Sequence, residues 1–470
     1  MSGVCWIHLS DWHQSSATFD RRKLRDALVS DIKRRTKTHD SLERIHFIVF
    51  SGDVAAHGKA FEYESAKAEL FEPVVEAAGW NDDKSNLFIV PGNHDINWDS
   101  FELDPANLLE KMTDLEVADK WLADPTKRET LLRPFSDYSD FITKYLGEHQ
   151  DFYSQSPAYA YTRNVRVGSK QISIVCINSS WLAGRHKDHR GNVKDYGSLI
   201  VGESQLHDAL DATRNADLKI AVMHHPVNWL AERESIRIEE RLNREFDFVL
   251  VGHQHYPQVR VDFSTTGDVI VIPAGACYDR QSKNGARYAN TYSYNYLDLE
   301  SGEGSVFIKR WSDRQNAWIP DSESVQNGRF DYTLRRLSPL NLQVSVAIII
   351  HEGRVLLVRR REQEGKLRWQ FPGGVVRGDQ ADKDVAEREA FEETNIKCRA
   401  VRKVGQRVHP DTKALVHYWL CQYIEGKEVL RDTKDLAEVR WVTPKNAFEL
   451  ITSDIYPHLK KVLRAEAKVK

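Results

Sequence analysis

The chain reads as an α/β (α+β) protein of two domains joined by a linker, and three observations lead there. Short apolar runs of strand length recur through the first 300 or so of its 470 residues, each ending in a small polar cluster. Turn and linker residues then gather between 318 and 340: Asp321-Ser322-Glu323-Ser324, Asn327-Gly328 and Ser338-Pro339. A new pattern follows, with an apolar run at 344–350, the turn His351-Glu352-Gly353-Arg354 and a second run at 355–358. The expected boundaries are 1–318, a linker at 319–340, and 341–470. A hydrophobic content of 41% is enough for more than one sizeable core.

In the first domain the run 4–9 ends in Asp11-Trp12-His13, and the run 45–50 ends in Gly52-Asp53. The run 87–90 ends in Gly92-Asn93-His94-Asp95, 220–223 in His224-His225-Pro226, and 246–251 in Gly252-His253-Gln254-His255. Continuous apolar runs of this length suit strands buried on both faces. Polar residues at the carboxyl ends of such strands converge on one edge of a sheet, where open α/β folds place their sites. Imidazoles and carboxylates together suit borderline divalent metals such as Mn, Fe, Zn, Co or Ni. Any one of these clusters has a bland reading as structural or surface residues; five in succession after five runs do not.

Other histidines read differently. His225 follows His224 directly, and neighbours in sequence do not easily point the same way, so it is expected as an outer or phosphate-contacting group. His57 is expected as a loop residue, and His8, His46 and His207 as structural or surface residues. Residues 101–150 are rich in helix formers and read as a helical insertion near the site's mouth. The segment 184–198, with His186, His189 and Arg190, reads as a charged surface loop. Ser204-Gln205-Leu206 opens a helix, and 172–177, 269–272 and 292–299 read as further strands.

The ordered set Asp11/His13, Asp53, Asn93/His94, His224 and His253/His255 resembles the calcineurin-like metallophosphoesterases over roughly residues 1–315. The resemblance implies a four-layer αββα sandwich and two metal ions side by side. It places Asp11, His13 and His255 on one metal, Asn93, His224 and His253 on the other, and Asp53 between them. It makes His94 an outer group that protonates the leaving oxygen or steadies the transition state, with Asp95 orienting His94.

In the second domain Trp369-Gln370-Phe371-Pro372-Gly373-Gly374 precedes Arg388-Glu389-Ala390-Phe391-Glu392-Glu393-Thr394-Asn395-Ile396. On a helix, Glu389, Glu392 and Glu393 share one face, where like charges repel unless a cation joins them. This stretch resembles the Nudix hydrolases, which implies an α/β/α sandwich and a Mg or Mn site on those three glutamates. Glu389 and Arg388 are then catalytic, Arg388 holding a carboxylate, and Gly373 and Gly374 let a phosphate approach closely. Two positions depart from the family's pattern. Gln380 stands where its first Glu is expected, and Asn395 where a Gly ends the helix; Asn tolerates the left-handed conformation. Arg359, Arg360 and Arg361 cannot all face one side of a strand, and Trp369, Tyr418 and Trp419 are candidates for base stacking or core packing. Arg407-Val408-His409-Pro410 is a further candidate for contact with substrate.

Charge and composition narrow the rest. A net charge of −3 does not favour a protein that grips nucleic acid by bulk charge. The five cysteines are widely spaced, with no pattern of a disulfide framework or zinc ribbon. The longest apolar stretch, 344–350, is too short to span a bilayer. With Asp11 so close to the first residue, a cleavable leader is not expected, and the location expected is cytoplasmic. The expected function is a bifunctional hydrolase of small nucleotide-type phosphates, with phosphomonoester or diester cleavage at the binuclear site and pyrophosphate cleavage at the Nudix site. The alternative is a phosphoesterase, acting on cyclic nucleotides or as a nuclease, whose Nudix domain binds a nucleotide and regulates.

Overall fold

The apolar runs form strands, and the way their side chains alternate decides the layers. The computed structural model describes residues 3–466 except 16–18, 81–82, 101–111, 113, 148–156, 186–192, 214, 255–257, 264–267, 279–289, 335–336, 338–342, 365–366, 377–379, 410–413 and 453–454. The chain divides into two compact units, Met1–Leu299 with Glu303–Leu334, and Arg335–Lys470 with Glu300–Gly302.

In the first unit β1 (Gly3–Leu9), β2 (Phe47–Phe50) and β3 (Leu87–Ile89) run parallel. The second sheet takes β4 (Ala160–Val167), β5 (Lys170–Ile177), β6 (Leu218–Met223), β7 (Phe248–Val251), β8 (Arg260–Phe263) and β9 (Asp268–Pro273), in the order β4-β5-β6-β7-β9-β8. The chain then returns to the first sheet with β10 (Thr291–Asp298), β11 (Glu303–Ser312), β12 (Ala317–Pro320) and β13 (Arg329–Thr333). That sheet reads β12-β11-β10-β1-β2-β3, with β13 also paired to β11.

Trp6 of β1 stacks on Phe47 at 5.3 Å and meets Phe248 of the other sheet edge-on at 5.4 Å, so the two sheets pack face to face. Cys5, Ile7 and Leu9 point the opposite way, into a cluster with Leu24, Leu28 and Ile32 of the helix Phe19–Lys33. On the second sheet, Val249 and Val251 join Ile238 and Leu242 of the helix Glu232–Glu245 in the same manner. Each such side chain contributes about 1.5–3 kcal/mol when fully buried. The result is the expected four-layer αββα sandwich.

The insertion supplies the helices Leu115–Ala123, Pro125–Leu132 and Ser136–Leu146. Asp114 and Asp124 cap the first two by accepting from Glu116 N–H (2.8 Å) and Thr126 N–H (3.0 Å). The third buttresses the site. Its Tyr138 hydroxyl donates to the Ile89 carbonyl at 2.7 Å, and Phe141 stacks on Tyr63 at 5.3 Å.

The boundary corrects the expected linker. β12 and β13 lie inside 319–340 or at its edge, yet both pair with β11. Asp321-Ser322-Glu323-Ser324 and Asn327-Gly328 are the turn between them, with Asp321 accepting from the Ser324 hydroxyl at 2.6 Å. Turn residues mark a change of direction, and here the chain changes direction within one sheet.

The second unit centres on β14 (Gln343–His351), β15 (Arg354–Glu364), β16 (Leu367–Gln370), β17 (Gly373–Val375), β18 (Lys397–Val408), β19 (Leu415–Glu425) and β20 (Leu436–Val442). Its sheet order is β16-β15-β14-β19-β18, with β17 on β14 and β20 on β15. The helix Asp382–Thr394 packs Ala386 and Ala390 on one face of the sheet, against Ala347, Ile349 and Leu356. The helices Pro444–Leu450 and Pro457–Glu466 cover the other face through Ala447, Leu459 and Leu463. Asn395 ends the first helix in the left-handed region, at φ 61°. Among the described residues no helix is long and apolar enough to cross a membrane.

Candidate active site

Five loops at the carboxyl ends of β1, β2, β3, β6 and β7 bring the first unit's polar clusters together. Asp11, His13, Asp53 and His253 hold left-handed backbone, with φ of 55°, 48°, 57° and 65°. That conformation costs about 1 kcal/mol or more per non-glycine residue. Tertiary bonds hold it in place: Asp11 N–H donates to Gly52 O at 2.9 Å, and Trp12 and His13 N–H both donate to Asp53 O at 3.0 Å.

Ligating atoms of Asp11, Asp53 and His224 all lie within 4.8 Å of one another. So do those of His13, Asp53 and His94, and those of His224, His225 and His253. Asp53 is common to the first two groups. Its Oδ2 is 3.3 Å from His224 Nε2 and 3.9 Å from His13 Nδ1. His224 Nε2 is also 3.1 Å from Asn93 Oδ1 and 3.2 Å from His253 Nδ1. The other His224 nitrogen, Nδ1, faces the Ser51 carbonyl at 2.8 Å. Only an N–H makes that contact, so a metal that displaced the Nε2 proton would meet a neutral ring with its Nε2 lone pair facing the cluster, as a ligating imidazole requires. Gly52 sits at φ 107° directly against this ring, where a Cβ would collide with it.

Charge is concentrated here. Burial opposes the charge on Asp53, but His224, His94 and His13 hold its carboxyl well below the usual range. Burial also opposes the charge on His224, which Asp53 nevertheless raises to about 9. Asp53 holds exposed His94 above its ordinary value as well.

Two expectations change at this site. Asp95 does not orient His94. Its buried carboxylate accepts from the N–H groups of Gly92 (2.8 Å), Ala55 (2.9 Å) and Val54 (3.2 Å) and from the Tyr63 hydroxyl (3.1 Å). It therefore clamps the Asp53 and Asn93 loops to each other, while His94 Nδ1 meets the Ala56 carbonyl at 3.0 Å. His225 does point the same way as His224: the two rings are 4.8 Å apart, and His225 lies 4.5 Å from His253. It is fully buried, with Nδ1 3.2 Å from the Ser179 hydroxyl, so it backs the cluster and presents no surface to a substrate. The tight turn after β6 at Pro226 makes this possible. His255 lies outside the described residues, as do His186, His189, Arg190 and Pro410. His57 is a loop residue, its ring 73% exposed and 3.1 Å from Glu62.

In the second unit the helix Asp382–Thr394 carries the acidic face. Glu393 is buried and accepts from Gly373 N–H at 3.1 Å. Burial pushes its carboxyl up to about 8, with Glu389 adding to the shift. Glu389 lies over Gly374, where a Cβ would collide with the carboxylate, and Arg388 grips it at 2.7 Å. Glu392 is exposed, 3.8 Å from Arg388. Like charges repel, and the three carboxylates divide between two partners, Glu389 and Glu392 beside Arg388 and Glu393 on the Gly373 N–H. Among the described residues their oxygens do not gather as tightly as the ligating atoms of the first unit. Of the three arginines, Arg359 meets Glu438 and Arg361 the Thr433 carbonyl. Arg360 alone is felt by Glu393 and bonds Gln370 at 3.2 Å. Trp369 and Tyr418 are core residues, and Trp419 packs half-buried on the opposite cluster. Gln380 is exposed.

The family model described as calcineurin-like phosphoesterase matches residues 7–257, more than half of the chain. The chain belongs to the calcineurin-like phosphoesterase family. This calcineurin-like chain also carries a NUDIX domain, matched at 341–464. Both are hydrolase families that work with divalent metals. A metallophosphoesterase-like protein of Bacillus subtilis, YydB, is 23% identical over 72% of the chain, and the chain covers 66% of that relative's length. A MutT-like protein of Streptomyces ambofaciens is 29% identical over 24% of the chain and 71% of its own. A NUDIX hydrolase structure from Nitrosomonas europaea aligns at 18% identity and a TM-score of 0.24, covering 26% of this chain and 70% of that one.

Proposed function

We propose that the chain is a bifunctional, metal-dependent hydrolase of nucleotide-type phosphates. It cleaves phosphomonoesters or diesters at the cluster of the first unit and a pyrophosphate bond beside the helix Asp382–Thr394 of the second. The observation that carries the first half is the convergence of Asp11, Asp53 and His224 from three separate segments, with Nε2 of His224 turned inward by Ser51. The donor set is mixed nitrogen and oxygen, which fits a pair of Mn, Fe, Zn, Co or Ni ions.

Asp11, His13 and His255 would hold one ion, Asn93, His224 and His253 the other, with Asp53 shared. Bound there, such a pair polarises a phosphoryl group and supplies hydroxide near neutral pH. His94, which Asp53 holds above its ordinary pKa, would donate to the leaving oxygen. Asp95 keeps Asp53 and Asn93 in register. In the second unit Glu389, Glu392 and Glu393 would hold Mg or Mn, and Arg388 positions Glu389. Gly373 and Gly374 leave room for the diphosphate, and Arg360 neutralises it.

Gln380 supports a second reading, in which the NUDIX domain binds a nucleotide and regulates the phosphoesterase. One experiment separates these. Asp53→Ala is expected to abolish ester hydrolysis and spare pyrophosphate cleavage, and Glu393→Gln to do the reverse. Loss of both activities in either variant would refute independent sites. Ester hydrolysis with no pyrophosphate cleavage in the unaltered chain would favour regulation.

A further inference from the structure

Two aromatic rings that the proposed reaction does not use stand beside the cluster. Trp229, in the turn after Pro226, is half-buried, and its ring meets that of His253 at 4.1 Å and 87°. Tyr196 stands against Trp229 at 5.4 Å and 81°, with 67% of its surface exposed. A single exposed ring needs no explanation. This pair, however, is fixed by a frame of backbone bonds. Gly197 and Leu199 N–H both donate to the Trp229 carbonyl, at 3.0 and 3.3 Å, and Ala231 N–H donates to Leu199 O at 2.8 Å. Next to Tyr196, the buried Asp195 carboxylate accepts from Gly184 N–H at 2.8 Å. Next in sequence to Trp229 and His253, exposed Asn228 accepts from the half-buried Gln254 amide at 3.4 Å.

We propose that Trp229 and Tyr196, set nearly at right angles, form a shelf in which Tyr196 stacks the base of a nucleotide whose phosphate sits at the cluster while Trp229 lies along its sugar, and that Asn228 and Gln254 read the edge of that base. This deepens the phosphoesterase reading and rests on it. The order of parts outward is cluster, Trp229, Tyr196. A nucleotide has the same order: phosphate, sugar, planar base. Every base offers a π face to an aromatic ring. Its rim carries donors and acceptors, which side-chain amides match on both counts. A phosphorylated sugar without a base would reach Trp229 and leave Tyr196 in water.

The test uses the full chain with Mn²⁺ hydrolysing bis(p-nitrophenyl) phosphate, which reports on the first unit. Adenosine monophosphate and ribose 5-phosphate are compared as competitive inhibitors at initial rate. Adenosine monophosphate is expected to inhibit about tenfold more strongly, in line with the strength of one base–aromatic stack. Tyr196→Ala should close that gap and Tyr196→Phe should keep it. Because Tyr196 is exposed, the substitution leaves the core intact. Equal inhibition by the two compounds, or a gap unchanged in Tyr196→Ala, overturns the shelf and leaves the phosphoesterase reading standing. Where only the monoester p-nitrophenyl phosphate is cleaved, it serves as the reporter instead, and a chain that hydrolyses neither compound overturns both.

Discussion

Replacing Asp95 by alanine should damage the protein more than replacing any surface acid, although Asp95 touches no proposed metal. Its carboxylate is the shared acceptor for three backbone N–H groups, those of Val54, Ala55 and Gly92, and for the Tyr63 hydroxyl. Asp95 and Tyr63 are both fully buried. Removing the acceptor leaves four buried donors without it. Each buried donor left unsatisfied costs about 1–3 kcal/mol, and water entering the vacated space recovers part of that. The expected net loss for Asp95→Ala is about 3–6 kcal/mol. Asp95→Asn keeps one oxygen for Ala55 and Tyr63 but turns an NH₂ group toward Val54 and Gly92, so its loss should fall about midway. Urea unfolding of the full chain, read together with amide exchange of the peptides carrying Val54, Ala55 and Gly92, measures this. Exchange in those peptides should accelerate in the order wild type, Asn, Ala. If Asp95→Ala unfolds within about 1 kcal/mol of wild type with the same amides still protected, the clamp is wrong.

Gly374→Ala should lower pyrophosphate cleavage about 100-fold by displacing the Glu389 carboxylate, while ester hydrolysis is unaffected; an active Gly374→Ala chain would refute the close approach. Burial pushes the His46 imidazole down to about 4, with Arg44 adding repulsion, and Cys5 N–H donates to its Nδ1 at 3.0 Å, a bond that only the neutral nitrogen accepts. The unfolded chain then binds the extra proton first. The stability this contributes is complete above pH 6.5 and is lost as pH falls toward 4, about 3 kcal/mol in all. His46→Asn keeps an acceptor for Cys5 and should flatten that slope in urea titrations between pH 4 and 7; identical slopes would count against it. Arg360→Gln should raise KM for a pyrophosphate substrate several-fold, and Arg359→Gln, which removes a residue paired with Glu438, should not.

The strands that carry the site were legible because buried parallel strands are continuous apolar runs, and their polar exits stand out against them. The edge strands β12 and β13 were not. Their few residues mix with Asp321–Ser324 and Asn327-Gly328, and a turn inside a sheet has the same composition as a linker. The role of Asp95 was hidden because its partners are backbone N–H groups, which every residue but proline carries. The two histidines after β6 were misjudged because adjacency suggests divergence, whereas the turn at Pro226 brings both rings to the same cluster. Trp229 and Tyr196 carry no motif. They meet only because the backbone of 197–199 bonds to the turn after His225, a pairing with no trace in spacing. Asn395 was readable in advance, since a left-handed helix end needs Gly or Asn.

Whether Asp53 is shared by two cations is decided by an anomalous difference map from crystals loaded with Mn²⁺. Two peaks are expected, about 3.5–4 Å apart on either side of the Asp53 carboxylate, one near Asp11 and His13 and the other near Asn93, His224 and His253. A single peak, or peaks remote from Asp53, would contradict that sharing.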